Sequence, residues 1–300
     1  MKGPPLLFPG RRKERPEFPE KERERIMKIA VAGLGLIGGS AALALARAGM
    51  ACDGYDRPEV TARALEKGVI AHAAEDFSVY DVVLVALPPD PAIEFLDTVR
   101  FGDGAVVADF CGVKQAVEKA VYARERAFRY VGCHPMAGKE VSGLENAEAS
   151  LFDGASMLMT IHEKTDPEAA AFLEDLYLEM GFGGVVRCTA AYHDSKIAYT
   201  SQLAHIVSNA YVKSSTAHGF PGYTGGSFQD MTRIAGVDED IWTRLYMLNL
   251  PAIRQELSVL IGNMQSYLTM LEAEDEEGLK VLLREGRVAK EKLDTERKII

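Results

Sequence analysis

The sequence is poor in the residues that build disulfide frameworks and structural metal sites. Its 300 residues include only four cysteines, at positions 52, 111, 133 and 188, and these form no C-x-x-C pair or other metal-ligand spacing. In a chain of this length we interpret them as free thiols in a reducing, cytoplasmic compartment. The sequence therefore predicts no zinc site and no other metal site.

An excess of positive charge is also missing. The chain has 34 Lys and Arg against 44 Asp and Glu, which gives a formal net charge of -10. This balance argues against a broad surface for nucleic acid or anionic membranes, so that an anionic ligand would have to be held by a few placed cations. With 47% hydrophobic and 26% charged residues, the composition is that of a globular protein with room for two domains.

Long apolar runs are absent with one exception. The stretch 29–46 carries no charge and is long enough to be considered as a membrane span. Its glycines at 33, 35, 38 and 39 are unfavourable in a spanning helix and typical of a strand, a turn and a helix. We therefore expect no membrane segment.

Residues 1–26 differ in composition from the rest of the chain. They contain five prolines and eight Lys or Arg against five Glu, with almost no apolar periodicity. Such a segment cannot bury enough surface to order itself. We interpret it as a flexible N-terminal extension, or as an upstream start before a natural one at Met27; a basic arm that binds a partner is the functional alternative.

From Met27 onwards, short apolar runs alternate with amphipathic stretches, a pattern that predicts a doubly wound parallel sheet with helices on its faces. We expect this α/β Rossmann domain over residues 27–188, and an all-helical domain over residues 189–300. Helices as long as those predicted near the C-terminus usually pack on a partner, so we expect a homodimer through the helical domain. The predicted strands are 28–32, 51–55, 81–87, 105–109, 130–133, 156–161 and 184–187. The predicted helices are 36–48, 59–67, 91–99, 113–124, 167–180, 190–215, 227–235, 239–246, 248–272 and 275–297.

A glycine-rich turn follows the first predicted strand and opens the first predicted helix. In a dinucleotide fingerprint the first glycine permits the tight turn, the second lets the pyrophosphate approach, and the third lets helix and strand pack closely. The free N–H groups of the helix then face the phosphates. The candidate cofactor-binding residues here are Gly33, Leu34, Gly35, Leu36, Ile37 and Gly38.

Asp56, at the tip of the second predicted strand, lies where a carboxylate accepts hydrogen bonds from the adenosine ribose. A carboxylate there repels a 2'-phosphate, which favours NAD over NADP, although Arg57 beside it could accommodate that phosphate. Leu87 and Pro88 follow the next strand and are expected to pass over the cofactor. Asp56 could also serve only as a turn cap before Pro58.

His134 ends an apolar run and is followed by Pro135 and a turn of small residues into Lys139 and Glu140. A histidine aimed and partly desolvated at a strand end suits a general base, because its unperturbed pKa is about 6.5. A lone His-Pro pair is more often a loop histidine with a backbone hydrogen bond. The neighbouring cofactor motif favours the catalytic interpretation here.

Candidate substrate-binding residues follow in the helical part. Ser201 and His205 are four residues apart and share a helix face, with His193 and Asp194 at the start of that helix. Arg233 follows a glycine turn and can clamp a carboxylate with a geometry that lysine cannot copy. Taken singly, His205 and Trp242 are more typical of residues in a hydrophobic core, and Arg233 is more typical of a surface ion pair. Their joint occurrence in a chain with a cofactor motif favours a substrate-binding site.

Residues 27–300 resemble the prephenate/arogenate dehydrogenase family of tyrosine biosynthesis. The resemblance is carried by four motifs in order: residues 33–40, residues 134–140, the stretch 201–205 after His193-Asp194, and residues 225–235 followed by Trp242. It implies oxidative decarboxylation of prephenate to 4-hydroxyphenylpyruvate with NAD. It also implies that His134 accepts the ring hydroxyl proton, that His205 and Arg233 hold the substrate, and that Glu140 orients Arg233 or gates the pocket.

Several positions depart from the family pattern. Gly112 stands where the D-x-x-S-x-K motif has a serine that helps to orient the catalytic histidine, and Gln202 replaces the first histidine of S-H-L-P-H. Gln229 stands where some members have a lysine, and we hypothesise that Lys139 supplies the lost cation. Two alternatives therefore stay open: an arogenate dehydrogenase, and a catalytically impaired NAD-binding regulatory protein.

Overall fold

The computed structural model describes residues 27–217, 219 and 222–297. The predicted N-terminal extension, residues 1–26, lies outside the described residues. The chain forms two compact units, of which one ends at Asn249 and the other begins at Leu250. The predicted domain division between residues 188 and 189 falls inside the first unit and stays a prediction.

Seven strands form one sheet in the order β2-β1-β3-β4-β5-β6-β7. The alternation of strands and helices predicted from the sequence is confirmed, and the element ends differ by a few residues. The strands are β1 Ile29–Ala32, β2 Cys52–Tyr55, β3 Val82–Val85, β4 Val106–Asp109, β5 Arg129–Pro135, β6 Ser156–Thr160 and β7 Gly184–Cys188.

The central strands are apolar because both faces of the sheet are covered. Every residue of β1, β3 and β4 is buried. Ile29 and Val31 pack into the core on one face, whereas Ala30 and Ala32 pack into the core on the other face. This period of two sends alternate side chains to opposite faces and explains why β1 and β3 are continuous hydrophobic runs and why β4 is apolar up to Asp109.

The sheet departs from the prediction in one pairing. Strand β6 runs antiparallel to β5, with Gly132 opposite Thr160 and His134 opposite Leu158, whereas all other neighbouring strands are parallel. The prediction of a doubly wound parallel sheet is therefore confirmed at the other pairs and wrong at this one. Strand direction depends on where the connection of residues 136–155 leads the chain, and the apolar pattern of β6 does not encode it.

Five helices connect the strands of the sheet: α1 Leu36–Arg47, α2 Pro58–Glu66, α3 Pro89–Thr98, α4 Gln115–Val121 and α5 Pro167–Glu179. Proline occupies the first turn of α2, α3 and α5, where its missing N–H costs no hydrogen bond. The Asp166 side chain caps α5 by accepting a hydrogen bond from the Ala169 N–H at 2.8 Å.

The remaining helices of the first unit are α6 Ala190–Ile197, α7 Leu203–Tyr211, α8 Gly226–Thr232 and α9 Glu239–Leu248. A π-helical segment, Ala198–Gln202, separates α6 from α7. The predicted single helix over 190–215 was therefore wrong in its interior and at its end. A wider turn leaves the local apolar pattern almost unchanged, so that periodicity alone does not reveal it.

The second unit consists of helices α10 Leu250–Glu272 and α11 Glu276–Arg297. Both helices expose large apolar side chains, at positions 259, 261, 264, 268 and 271 of α10 and at positions 281, 283, 288 and 293 of α11. Among the described residues, no helix combines the length and the apolar character needed to cross a membrane.

Candidate active site

A cavity of about 910 Å³ lies beyond the carboxyl end of β5. It is lined by the loops after β4 and β5, by α6, the π-helical segment, α7 and α9, and by the loop between α8 and α9. Its volume is within the range of small-molecule sites, about 300–1,000 Å³. Seven of the predicted site residues line it: His134, Lys139, Glu140, Ser201, His205, Arg233 and Trp242. The fold thus assembles side chains that are far apart in the sequence.

His134 lies near the end of β5 and is partly buried. Its Nδ1 lies 2.9 Å from Nε2 of His193, so that the other ring nitrogen is left for the cavity. A Cβ placed on Gly112 would lie 3.7 Å from Nε2 of His134. Burial, together with His193 and the positive charge of Lys114, holds the pKa of His134 well below its usual value. The ring is therefore neutral and able to accept a proton near neutral pH.

His193 continues a hydrogen-bonded chain that the sequence did not reveal. Its Nδ1 lies 2.8 Å from Oδ1 of Asp194, and both residues are almost completely buried. Asp194 also accepts hydrogen bonds from the main-chain N–H groups of Lys114 and Gln115 at the start of α4. From the sequence, the adjacent His-Asp pair is placed at a helix start and within a family motif, with no role of its own. Its link to His134 joins residues 59 positions apart and has no local signal.

Asp109, Tyr130 and Lys114 form a buried polar cluster behind His134. The Lys114 ammonium is ion-paired with Asp109 and hydrogen-bonded to the Cys133 carbonyl, and the Tyr130 hydroxyl donates to Asp109. Burial lowers the pKa of Lys114, but the combined effects of Asp109, Cys111 and Cys133 outweigh burial, so that the pKa is raised overall. This fixed positive charge beside β5 helps to keep His134 neutral.

Arg233 and Glu140 are ion-paired at the cavity wall. Glu140 belongs to the loop that follows β5, whereas Arg233 directly follows α8. In the same loop, Lys139 places Nζ 2.9 Å from Oε2 of Glu148. Arg233 and Lys139 are thus already paired with carboxylates, and an anionic ligand would compete with Glu140 and Glu148 for them.

Ser201 and His205 line the cavity from the π-helical segment and α7. The His205 Nδ1 donates to the Ile234 carbonyl at 2.9 Å, and Trp242 packs on its ring with centroids 3.8 Å apart. Burial lowers the pKa of His205 below its usual value. Gln229, by contrast, lies exposed on α8 and is not part of the cavity lining, which gives its predicted role in substrate binding no support.

The glycine turn after β1 has the geometry that a dinucleotide requires. Gly33 has a φ of +90°, and a Cβ there would meet the Ala86 carbonyl oxygen at 2.6 Å. A Cβ on Gly38 would meet the Gly33 carbonyl oxygen at 1.7 Å, which explains why α1 and β1 can pack so closely. Gly35 begins α1 without a side-chain cap and has open space beside it. These features fit a bound pyrophosphate.

Asp56 stands at the end of β2 beside this turn. Its carboxylate accepts hydrogen bonds from the Leu34 N–H at 2.6 Å and from the Arg57 N–H at 2.7 Å. Because a carboxylate offers about four acceptor positions, it can still bind ribose hydroxyls. The Arg57 side chain is 76% exposed, and its Nε lies 3.6 Å from Oε1 of Glu59.

The other predicted cofactor residues take different places around the turn. Leu34 and Leu36 are buried, and Leu34 belongs to the core, so that these side chains serve packing. Ile37 and Leu87 are partly buried, and Pro88 is exposed at the start of α3. The Leu87 carbonyl accepts from the Cys111 thiol at 3.6 Å, which joins the loops after β3 and β4. Within the described ranges, no group of three or more His, Cys, Asp or Glu side chains is arranged to hold a metal ion.

Two family models match consecutive parts of the chain. The model described as "Prephenate dehydrogenase, nucleotide-binding domain" matches residues 41–186, and the model described as "Prephenate dehydrogenase, dimerization domain" matches residues 189–285. Among curated relatives, the prephenate dehydrogenase of Bacillus subtilis is 31% identical over 84% of this chain and 72% of its own length.

Solved structures show the same similarity. A prephenate dehydrogenase from A. aeolicus, in complex with hydroxyphenyl propionate and NAD+, superposes with a TM-score of 0.78 at 25% identity, over 90% of this chain and 99% of that one. A Synechocystis arogenate dehydrogenase superposes with a TM-score of 0.75 at 27% identity, over 89% of this chain and 100% of that one. The chain is therefore similar both to a prephenate dehydrogenase and to an arogenate dehydrogenase.

Proposed function

Because the chain belongs to the prephenate dehydrogenase family, we propose that it catalyses the oxidative decarboxylation of prephenate to 4-hydroxyphenylpyruvate with NAD. The observation that carries this proposal is that His134 and Arg233 line one cavity, so that a proton acceptor and a carboxylate-binding cation face the same volume. The neutral state of His134 fits the role of the acceptor.

The cofactor would be held by the glycine turn and by Asp56, as their geometry fits a dinucleotide. NAD, when bound, supplies the acceptor for the hydride that leaves the carbon bearing the ring hydroxyl. The N–H groups at the start of α1 bind the pyrophosphate, and Asp56 binds the adenosine ribose. The carboxylate of Asp56 disfavours the 2'-phosphate of NADP.

His134 moves the proton of the reaction. Its Nε2 takes the proton from the ring hydroxyl while the carbon–hydrogen bond breaks. The ring carboxylate then leaves as CO2, and its bonding electrons complete the aromatic ring. His134 returns the proton to the resulting phenolate oxygen. This exchange requires a base that is neutral at the start, which the buried imidazole provides.

The cations of the cavity orient the dianionic substrate. Arg233 can bind one carboxylate through the donors that Glu140 does not engage, since a guanidinium has five N–H groups. His205, with Nδ1 committed to the Ile234 carbonyl, presents Nε2 to the substrate. Lys139 can add a further cation once it exchanges Glu148 for substrate. An unchanged KM for prephenate in Lys139→Ala would contradict that last role.

Arogenate is the second candidate substrate, because the Synechocystis arogenate dehydrogenase matches the chain almost as closely as the A. aeolicus enzyme does. Arogenate carries an amine where prephenate has the side-chain keto group. We favour prephenate since the cavity retains His205, the residue to which the family resemblance assigns a role in holding the substrate. The test is to assay the purified protein with prephenate and arogenate, each with NAD and with NADP.

In this assay, NADH formation with prephenate and a lower kcat/KM with arogenate support the proposal. The reverse order would identify an arogenate dehydrogenase. Binding of NAD without reduction of the cofactor by either substrate would instead support a catalytically impaired regulatory protein, an alternative that Gly112 raises.

We also propose a homodimer formed through the helical part of the chain. The family model that matches residues 189–285 is described as a dimerization domain, and α10 and α11 expose apolar side chains that water would otherwise contact. Sedimentation equilibrium tests this: the wild type should have twice the mass of one chain. Leu268→Glu should lower this mass, whereas Glu272→Gln serves as a matched control on the same helix.

A further inference from the structure

We propose that His193 and Asp194 position the catalytic base: they fix His134 in the tautomer that has its proton on Nδ1 and a free lone pair on Nε2, facing the cavity. This inference rests on the proposed function in that His134 is taken as the proton acceptor. It assigns a positioning role to two residues that do not line the cavity.

Asp194 is the buried end of this hydrogen-bonded chain. Burial raises the pKa of this carboxyl group, but the hydrogen bonds from His193 and from the main-chain N–H groups of Gln115 and Lys114 outweigh burial, so that the pKa is lowered overall. Asp194 is therefore ionised and can only accept hydrogen bonds. The ring nitrogen that faces it, Nδ1 of His193, must then carry a hydrogen.

His193 is the middle member of the chain, between Asp194 and His134. Burial lowers its pKa below the usual value, and Lys114 adds to this effect although Asp194 opposes it. The ring is neutral, so that a hydrogen on Nδ1 leaves Nε2 as an acceptor. Nδ1 of His134, 2.9 Å away, must be the donor to this nitrogen.

His134 is the member of the chain that lines the cavity. A neutral imidazole with its hydrogen on Nδ1 has a lone pair on Nε2, and this nitrogen lies on the side of Gly112, which lines the cavity. When His134 takes the substrate proton, its Nδ1–H hydrogen bond to His193 becomes charge-assisted and therefore stronger. The negative charge of Asp194 also attracts the positive charge that His134 then carries. The chain thus prepares the base before reaction and stabilises it afterwards.

The contact with His193 also explains how the site can operate with Gly112. The family serine at this position helps to orient the histidine, and a glycine has no hydroxyl group to do so. In this chain the orientation comes from the opposite side of the ring, through His193. The charged and titratable groups around the pair are those behind the ring, Asp109 and Lys114, and those in the cavity, which are Lys139, Glu140, His205, Arg233 and Asp238.

The tautomer can be measured without substrate, by long-range proton–nitrogen correlation NMR on protein labelled with 15N-histidine. We expect His134 and His193 each to carry the hydrogen on Nδ1, with Nε2 unprotonated. In Asp194→Asn, the amide can donate to His193, and the tautomers of both rings should reverse. A wild-type His134 protonated on Nε2 would overturn the inference while leaving the proposed function intact. Absence of turnover with the expected tautomer would instead contradict the proposed function alone.

A kinetic pair separates positioning from a purely structural role. In His193→Gln, the side-chain oxygen can replace Nε2 as acceptor, whereas His193→Met fills similar volume without a strong acceptor. We expect His193→Met to lower kcat about 100-fold, within the usual range of general-base contributions, with KM nearly unchanged, and His193→Gln to retain most of kcat. His72→Gln, on an exposed histidine paired with Asp53, is the matched control and should behave as the wild type.

Equal losses of kcat in the Gln and Met variants, or a change confined to KM, would contradict positioning. Thermal unfolding and NAD binding are measured for each variant, so that a loss of folded protein is recognised. If the Met variant does not fold, the wild-type NMR experiment still decides the question.

Discussion

The Glu140 carboxylate is ion-paired with the Arg233 guanidinium, 93 residues further along the chain, at the wall of the cavity that contains His134. The pair joins the loop after β5 to the end of α8. It places a cation where a substrate carboxylate can bind, and it also places a negative charge beside that carboxylate. The two residues should therefore affect substrate binding in opposite directions.

Replacing Arg233 by lysine should raise the KM for prephenate about 10- to 100-fold, which corresponds to the loss of a charged hydrogen bond worth about 1.5–3 kcal/mol. Lysine keeps the charge but not the planar fork of donors. Initial rates at saturating NAD provide the measurement. Arg244→Lys is the control, because Arg244 pairs with Asp90 and does not line the cavity. Equal KM values in wild type and Arg233→Lys would rule out this role.

The variant Glu140→Gln should lower the KM for prephenate several-fold. The substitution removes a negative charge from the vicinity of a dianion but keeps an oxygen that can accept from Arg233. The effect should diminish at high ionic strength, since exposed charges are screened. A raised KM would show instead that Glu140 is needed mainly to orient Arg233.

The stability of the fold should fall when the pH drops below about 6.5. His134 and His193 both have pKa values below the usual range, because burial disfavours their charged forms. The unfolded chain thus binds more protons than the folded one in this range. The free energy of unfolding should decrease by up to about 1.4 kcal/mol per pH unit for each group.

Denaturant titrations at a series of pH values test this expectation. His193→Gln removes one of the two groups, so that its free energy of unfolding should depend less steeply on pH than that of the wild type. Parallel curves for the two proteins would show that His193 does not contribute. The acid limb of kcat should likewise lie below about 6.5, because the active form of His134 is the neutral one.

The variant Gly112→Ser should fold normally. A Cβ at this position meets Leu245 at 3.6 Å and His134 at 3.7 Å, which are ordinary contacts, and the free energy of unfolding should change by less than about 0.5 kcal/mol. Since His193 already orients His134, the added hydroxyl should change kcat by less than about tenfold, the equivalent of one neutral hydrogen bond.

Gly132→Ser is the contrasting control for this position. Its Cβ would lie 2.4 Å from the Thr160 hydroxyl oxygen inside the sheet, so that this variant should be clearly destabilised. Thermal unfolding of both variants, followed by assay, makes the comparison. Similar destabilisation by the two serines would mean that the space beside Gly112 is not available.

The variant Asp56→Asn should weaken the preference for NAD over NADP by about 10-fold or more, because the carboxylate that repels the 2'-phosphate is lost. The asparagine side chain keeps an oxygen that can accept from the Leu34 N–H. Arg57, which is largely exposed, can then pair with the phosphate. The ratio of kcat/KM for the two cofactors is the measurement. Glu59→Gln removes a charge beside the same arginine without touching the glycine turn and should leave the ratio within a few-fold of wild type.

The sequence by itself determined the local features of this protein. The glycines of the first turn, the apolar runs of the central strands and the prolines and caps at the helix starts each act through backbone geometry within a few residues. For this reason the Rossmann fold, the cofactor turn and the position of His134 at a strand end could be predicted. Motifs in a fixed order also identified seven of the residues that line the cavity, although Gln229 is not among those that line it.

Only the tertiary structure decided which distant side chains meet. The antiparallel direction of β6, the π-helical segment before α7 and the contact of His134 with His193 have no signature in local periodicity. Each depends on how separate elements pack, and packing is a property of the whole chain. The sequence thus supplied a histidine suited to be a base, whereas the fold supplied the chain of hydrogen bonds that selects which of its two nitrogens is free to react.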